Sequence, residues 1–232
     1  MRKRTGERVP FILFLKSFEV LLYEIMSWII FYPRTLWRSA RHPVEMMKRG
    51  ERELQLPADE QFRDVVSPPI FLLVTVVAAN AFEVAIVGHN PLIDKGIGLA
   101  AMIQDNTSLI LFRLIAFASV PVVTGAFALV AMRRPVDRDT LQPLFYGQCF
   151  ATTPIVLLCS LAETLTRLPQ PEANIPAALL FGAAGAFYIG AEGVWYTKES
   201  GRSTAFGILW AIGSFVASAF AMATAVLLFS GF

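Results

Sequence analysis

The sequence predicts an all-α polytopic membrane helix bundle, with five transmembrane helices preceded by an interfacial amphipathic helix. Three observations predict it. The chain of 232 residues is 55% hydrophobic and only 16% charged, too apolar for a soluble domain of this size. Five long apolar runs follow one another, at Pro69–Gly88, Ser108–Met132, Leu141–Glu163, Ile175–Tyr196 and Thr204–Phe229. Each can cross ~30 Å of hydrocarbon as a helix, which takes ~20 residues at ~1.5 Å rise. The third observation is where the positive charge falls. If the N-terminus is cytoplasmic, 16 of the 20 Lys and Arg residues lie on that side: Arg2–Arg8, Arg34–Arg63, Arg133–Arg138, Lys198 and Arg202. The opposite side holds only Lys95 and Arg167. That bias over short loops orients the chain N-inside and C-outside. The expected organisation is residues 1–68 as a cytoplasmic N-terminal region and 69–232 as the five-helix membrane domain.

The chain opens on a basic stretch, Met1-Arg2-Lys3-Arg4, followed by apolar Val9–Leu15. It imitates a secretory signal. Lys16 and Glu19 interrupt the run, and no small-x-small site follows, so cleavage is not expected. Residues 10–32 are long enough to span, but spanning would place Arg2–Arg8 outside, against the charge rule. Lys16, Glu19, Tyr23 and Ser27 share one helical face, and Phe11, Phe14, Phe18, Leu22, Ile25 and Ile29 cover the other. This pattern predicts a helix lying in the headgroup plane, with Trp28, Tyr32 and Trp37 at the same interface. A sixth span is the alternative.

Pro33 and Pro43 read as first-turn helix residues. Charges of both signs alternate from Glu45 to Asp64, which predicts a solvated helical collar. Asp105, Thr107 and Ser108 suit the cap of the second span. Cys149 and Cys159 lie ten positions apart on one predicted helix. They are roughly 15 Å apart along the axis, out of disulfide reach, and read as buried thiols.

Several residues do not belong in lipid. Glu83 and Arg113 each lie about five residues inside the outer ends of the first two runs. Consecutive antiparallel spans would bring them to one depth, with Asn80 on the face of Glu83. Pairing offsets a cost of several kcal/mol for a lone charge. The result is either a polar pocket open to the outside or a structural ion pair that sets helix register. Glu163 and Arg167 read as an i,i+4 surface pair. Glu192, near the inner end of the fourth run, either faces a cytoplasmic cavity or snorkels. Pro121 and Pro154, near the centres of the second and third runs, are candidate hinges or static bends, and Thr152 and Thr153 can satisfy carbonyls freed by Pro154. Gly182, Ala186 and Gly190 form one row of small residues; Gly207, Ala211, Ser214 and Ser218 nearly form another. Such rows suit intramolecular helix packing, or a homodimer face.

The only histidines are His42 and His89. No His/Cys spacing suits zinc, no membrane histidine pair suits haem, and no Walker sequence occurs. No cofactor, metal or catalytic residue is expected, and a net charge of +2 gives no nucleic-acid signal.

Two stretches resemble Yip-type membrane proteins, a family whose eukaryotic members associate with Rab GTPases. Asp64-Val-Val-Ser67-Pro68-Pro69-Ile-Phe71 resembles the family's acidic-x-x-small-Pro motif at the start of the first span. Tyr146-Gly147, followed by Pro154, resembles its Tyr-Gly motif with a mid-helix proline. The resemblance covers roughly residues 64–229, and its motif residues here are Asp64, Pro68, Tyr146 and Gly147. It departs where the usual Tyr-Ser is missing before Pro154 and where the N-terminal region is basic. The Arg34–Pro43 stretch is more similar to small bacterial members, sometimes labelled permeases. The resemblance implies five spans, a bacterial inner-membrane location and a non-catalytic scaffold with a protein partner at the collar, at residues such as Arg38, Arg41 and Met46. A permease-like passage of a small solute or lipid is the alternative, using Glu83, Arg113 and Glu192 with the two prolines as hinges.

Overall fold

A computed structural model describes residues 8–88 and 106–230. Among the described residues every regular element is a helix and none is a strand. The elements run α1 (Arg8–Arg41), α2 (Pro43–Glu53), α3 (Pro68–Val87), α4 (Asn106–Ala131), α5 (Arg138–Thr166), α6 (Asn174–Ser200) and α7 (Thr204–Ser230), with a short 3-10 turn at Pro171–Ala173 before α6. Helices α3 to α7 are the five that are long and apolar enough to cross a membrane. The protein is a multi-pass membrane helix bundle.

Helix ends follow local chemistry. Pro68 opens α3 behind Ser67, where a missing N–H costs nothing. Asp137 caps α5, accepting from the Thr140 N–H at 2.8 Å, while the Thr140 hydroxyl accepts from the Asp137 N–H at 3.2 Å. That reciprocal pair satisfies two orphan donors. Gly201 ends α6 at φ 63°, a left-handed conformation that glycine adopts without a Cβ clash.

Packing makes α5 the hub, in contact with α2, α3, α4 and α6. Helices α4, α5, α6 and α7 close a ring, each packed on the next and α7 packed back on α4. Helix α3 docks outside this ring, against α5 and α4. The bundle thus has two interiors: a four-helix ring, and a three-helix wedge of α3, α4 and α5.

Helix α1 differs from expectation. Pro33 lies inside it rather than at a start, so one helix about 51 Å long joins the amphipathic segment to the collar. The Phe11 and Phe14 side chains lie outside the described residues. Phe18, Leu22, Ile25 and Ile29 are exposed, and so are Val20, Tyr23, Met26 and Ile30 on the helix's other faces. Trp28, Phe31 and Tyr32 instead pack on the collar–bundle core with Phe71 and Phe150. Tyr32 was expected in the headgroup layer. Its hydroxyl lies 2.8 Å from the Thr75 hydroxyl of α3, and its ring packs on Phe71. A buried partner for its O–H holds it in the bundle. Trp37 stays exposed.

Candidate functional site

Three polar assemblies interrupt the apolar bundle. The first fills the three-helix wedge at the end away from the collar. Arg113 of α4 pairs with Glu83 of α3 at 2.5 Å and donates to Asn80 Oδ1 at 3.1 Å. The expected meeting of Glu83, Arg113 and Asn80 is present. Arg167, just past α5, also pairs with Glu83 and with Glu163, and Glu163 lies 3.5 Å from Arg113. Two acids and two bases therefore form one closed, neutral network. Its side chains range from 3% exposed for Glu83 through 9% for Arg113 and 15% for Arg167 to 36% for Glu163. The Glu163–Arg167 pair, read from sequence as a surface pair, is the outer half of this network. The four-residue spacing identified the pair; the role of Arg167 against Glu83, 84 residues away, had no sequence signal. His89, Lys95 and Asp105 lie outside the described residues.

The second assembly joins the collar to the bundle. Helix α2 buries Met46, Met47 and Gly50, so the collar is amphipathic rather than solvated all round, and Met46 is not an accessible docking residue. The crossing with α5 runs through two glycines. A Cβ on Gly147 would stand 2.7 Å from the Met47 carbonyl oxygen, and one on Gly50 would stand 2.8 Å from Gly147 Cα. Glycine permits this backbone contact. Asp64 pairs with Arg38 at 3.2 Å and with Arg49. Hydrogen bonding to Arg49, partly offset by burial, holds its carboxyl below the ordinary aspartate range. The Val66 N–H donates to the Thr35 hydroxyl at 3.1 Å. Phe62, at φ 52°, packs its ring against Tyr146 and Phe150. Asp64 thus lies on the collar side of this junction, through Arg38 and Arg49, and Tyr146 and Gly147 on its α5 side, through Phe62 and Met47, while Pro68 opens α3 just after it.

Beside that junction lies a hollow of about 220 Å³ lined by Arg38, His42, Glu45, Met46, Lys48, Arg49 and Arg52. Four permanent cations face one carboxylate. Arg38 and Arg49 are engaged by Asp64, and Lys48 by Glu199 at 2.7 Å. Arg52 has no carboxylate partner among the described residues; its Nε donates to the Lys48 carbonyl. Nearby, burial first and the Glu199 charge second push the Glu51 carboxyl up to about 7, against Arg134 and Lys48.

The third assembly lies inside the four-helix ring. Glu192 of α6 is 1% exposed and accepts from Gln148 Nε2 of α5 at 3.2 Å. Its burial is not the exposed position that snorkelling requires. The Tyr188 hydroxyl lies 2.8 Å from Thr124 Oγ1 of α4 and 3.0 Å from Ser214 Oγ of α7. Tyr196 donates to the Thr124 carbonyl at 3.3 Å. All four ring helices contribute. Sequence reasoning found Glu192 from its position but missed Gln148, Tyr188 and Thr124, which are ordinary residues until the helices close around them.

The proline expectations resolve locally. Helices α4 and α5 run unbroken through Pro121 and Pro154. Thr153 donates to the Cys149 carbonyl at 2.7 Å, its own acceptor one turn back rather than the Phe150 carbonyl that Pro154 frees. The two small-residue rows part company. Gly207, Ala211, Ser214 and Ser218 are buried, and a Cβ on Gly207 would lie 2.3 Å from the Gly193 carbonyl oxygen. Gly182, Ala186 and Gly190 are exposed, and a Cβ on either glycine would meet nothing within 4 Å. That row faces out of the bundle, contrary to intramolecular packing.

Cys149 is buried and unpaired, and Cys159 is partly buried and unpaired. No group of three or more His, Cys, Asp or Glu with metal-binding geometry occurs among the described residues. Comparison with known protein families, curated proteins and solved structures finds no match to this chain.

Proposed function

We propose that this membrane protein is a non-catalytic scaffold that docks an acidic segment of a partner protein on its basic collar. The observation that carries the reading is the collar hollow. Asp64 and the Gly50–Gly147 contact fix α2 against the bundle, and Arg38, His42, Lys48 and Arg52 surround a recess of protein-side-chain size. Arg52, the lining cation without a carboxylate partner among the described residues, favours a carboxylate-rich partner by charge complementarity. The reading places the collar and N-terminus in the cytoplasm and the C-terminus outside, in a bacterial inner membrane. Kinship with Yip-type proteins is part of the same proposal. What supports it is that Asp64, Tyr146 and Gly147 lie where α2 and the chain after it meet α5. The far-end network of Glu83, Arg113, Glu163 and Arg167 acts here as a register-setting clamp, because its charges are spent on each other.

Photo-crosslinking from position 42 or 52 in cells tests the docking site. A discrete adduct that weakens in Lys48→Glu/Arg52→Glu is the expected result. Intact, membrane-inserted protein that yields no adduct at either position contradicts it.

One observation favours permease-like transport as a second reading. Glu192 places a carboxylate inside the four-helix ring, where a scaffold needs none. Solute flux in proteoliposomes that disappears in Glu192→Gln supports this reading; the absence of flux in the unmodified protein counts against it.

A further inference from the structure

Glu192 has no ion-pair partner among the described residues, although Glu83 is fully engaged by arginines on the other side of the bundle. Its Oε1 is buried without a hydrogen-bond donor, and the Oε1 of its neighbour Gln148 is buried without one as well. Gln148 is 1% exposed and its amide is fixed on Glu192 by the 3.2 Å contact. Two unpaired acceptor oxygens therefore stand on adjacent side chains, one of them a carboxylate. A buried carboxylate without a counter-charge costs several kcal/mol in a membrane interior. An oxygen pair of this kind suits a hard, small cation.

We propose that Glu192 and Gln148 form a site for one small monovalent cation, either a proton or Na+, held inside the four-helix ring. The site is independent of the collar docking reading. The carboxylate Oε1 and the amide Oε1 supply the first oxygen ligands. Tyr188 and Tyr196 flank Glu192 one turn to either side on α6, and the ring is completed by Thr124 of α4 with Ser214 and Ser218 of α7. The Tyr188 hydroxyl is tied to Thr124 and Ser214, and Tyr196 to the Thr124 carbonyl, so these groups brace the site. Of the charged groups on elements packed against α6, Glu163 of α5 lies in the far-end clamp and Glu172 in the turn before α6, and the others collect nearer the collar. Lys48 and Glu51 of α2 and Arg134 after α4 gather about Glu199, roughly 10 Å further along α6. Trp195, three residues after Glu192, is fully buried in the adjoining core and serves as an optical reporter.

The test uses the full-length protein in lipid nanodiscs. Na+ is titrated against choline at fixed alkaline pH, and pH is titrated in choline alone. Thermal midpoint and tryptophan emission are read in wild type, Glu192→Gln, Glu51→Gln and the double variant. A saturable Na+ response, with the midpoint rising by about 5 °C or more at a hundredfold excess over the dissociation constant, identifies Na+ as the ligand. A pH response in choline without a Na+ response identifies the proton. In either case the response is kept in Glu51→Gln, where the collar carboxyl no longer titrates, and lost in the double variant Glu51→Gln/Glu192→Gln. No response in Glu51→Gln, or one that survives in the double variant, overturns the proposal. If Glu192→Gln does not fold, infrared spectroscopy decides. In the Glu51→Gln background, absence of a protonated-carboxyl band at neutral pH, with no Na+-sensitive carboxylate band, overturns the proposal equally.

Discussion

Glu83 is the keystone of the far-end clamp because, of the two acids that touch both arginines, it is the buried one, 3% exposed against 36% for Glu163. Replacing it leaves two guanidinium groups in the wedge with only the half-exposed Glu163 carboxylate. Glu83→Gln is expected to cost about 3 kcal/mol, the scale for removing one member of a buried pair. Glu163→Gln, at the exposed edge, is expected to cost under about 1 kcal/mol. Thermal unfolding in detergent checks the order, and equal losses would contradict it. Glu51 makes a pH prediction. Its folded pKa, about 7, lies above the ordinary 4.5, so the folded state binds its proton more tightly than the unfolded state. The associated stability is present below about 4.5 and is lost as pH rises through 7. The protection of α2 amides, taken relative to their intrinsic exchange rate at each pH, should therefore fall between these pH values in wild type and stay flat in Glu51→Gln. At this scale the sequence was informative where burial and charge conflict. Glu83, Arg113 and Glu192 stand out because lipid does not tolerate them singly. The partners that resolve the conflict, Arg167 and Gln148, did not stand out, since one reads as a loop cation and the other as a polar residue near a helix start.

Elements are set by close backbone approaches. Gly147→Ala places a methyl group against the Met47 carbonyl, and backbone cannot swing aside as a side chain can. A cost of about 1–3 kcal/mol is expected, with α2 becoming protease-sensitive while the membrane bundle stays helical. Gly182→Ala is the control. Its Cβ meets nothing, so stability should hold or rise slightly, since alanine favours a helix by up to about 1 kcal/mol. If both substitutions behave alike, the account of the α2–α5 crossing is wrong. The five apolar helices were legible from hydropathy alone, because each must hide its backbone from lipid. The join of α1 through Pro33 was not. A proline inside a helix and one at its start look alike without the turn before it. The two small-residue rows were equally alike in sequence, yet one is sealed between α6 and α7 and the other faces outward.

At the scale of the whole molecule, the four-helix ring with α3 docked outside separates the clamp from the buried carboxylate. The clamp ties α3 and α4 to the end of α5, and Glu192 lies in the ring that α3 does not enter. Perturbation at one site should leave the other unmoved. Glu83→Gln is expected to lower the unfolding midpoint while leaving the cation response of Glu192 in place. Beyond the meeting of α3 and α4 at Glu83 and Arg113, this grouping was not legible beforehand, because which helix packs on which depends on side chains met only after closure.

The claim beneath all of it is five crossings, with the collar and the N-terminus on one face of the membrane and the C-terminus on the other. Compartment-specific labelling of a tag at each terminus, together with Arg52→Cys, measures this directly. The account predicts that the N-terminal tag and position 52 react from the same side and the C-terminal tag only from the opposite side. Labelling of both termini from one side would contradict it.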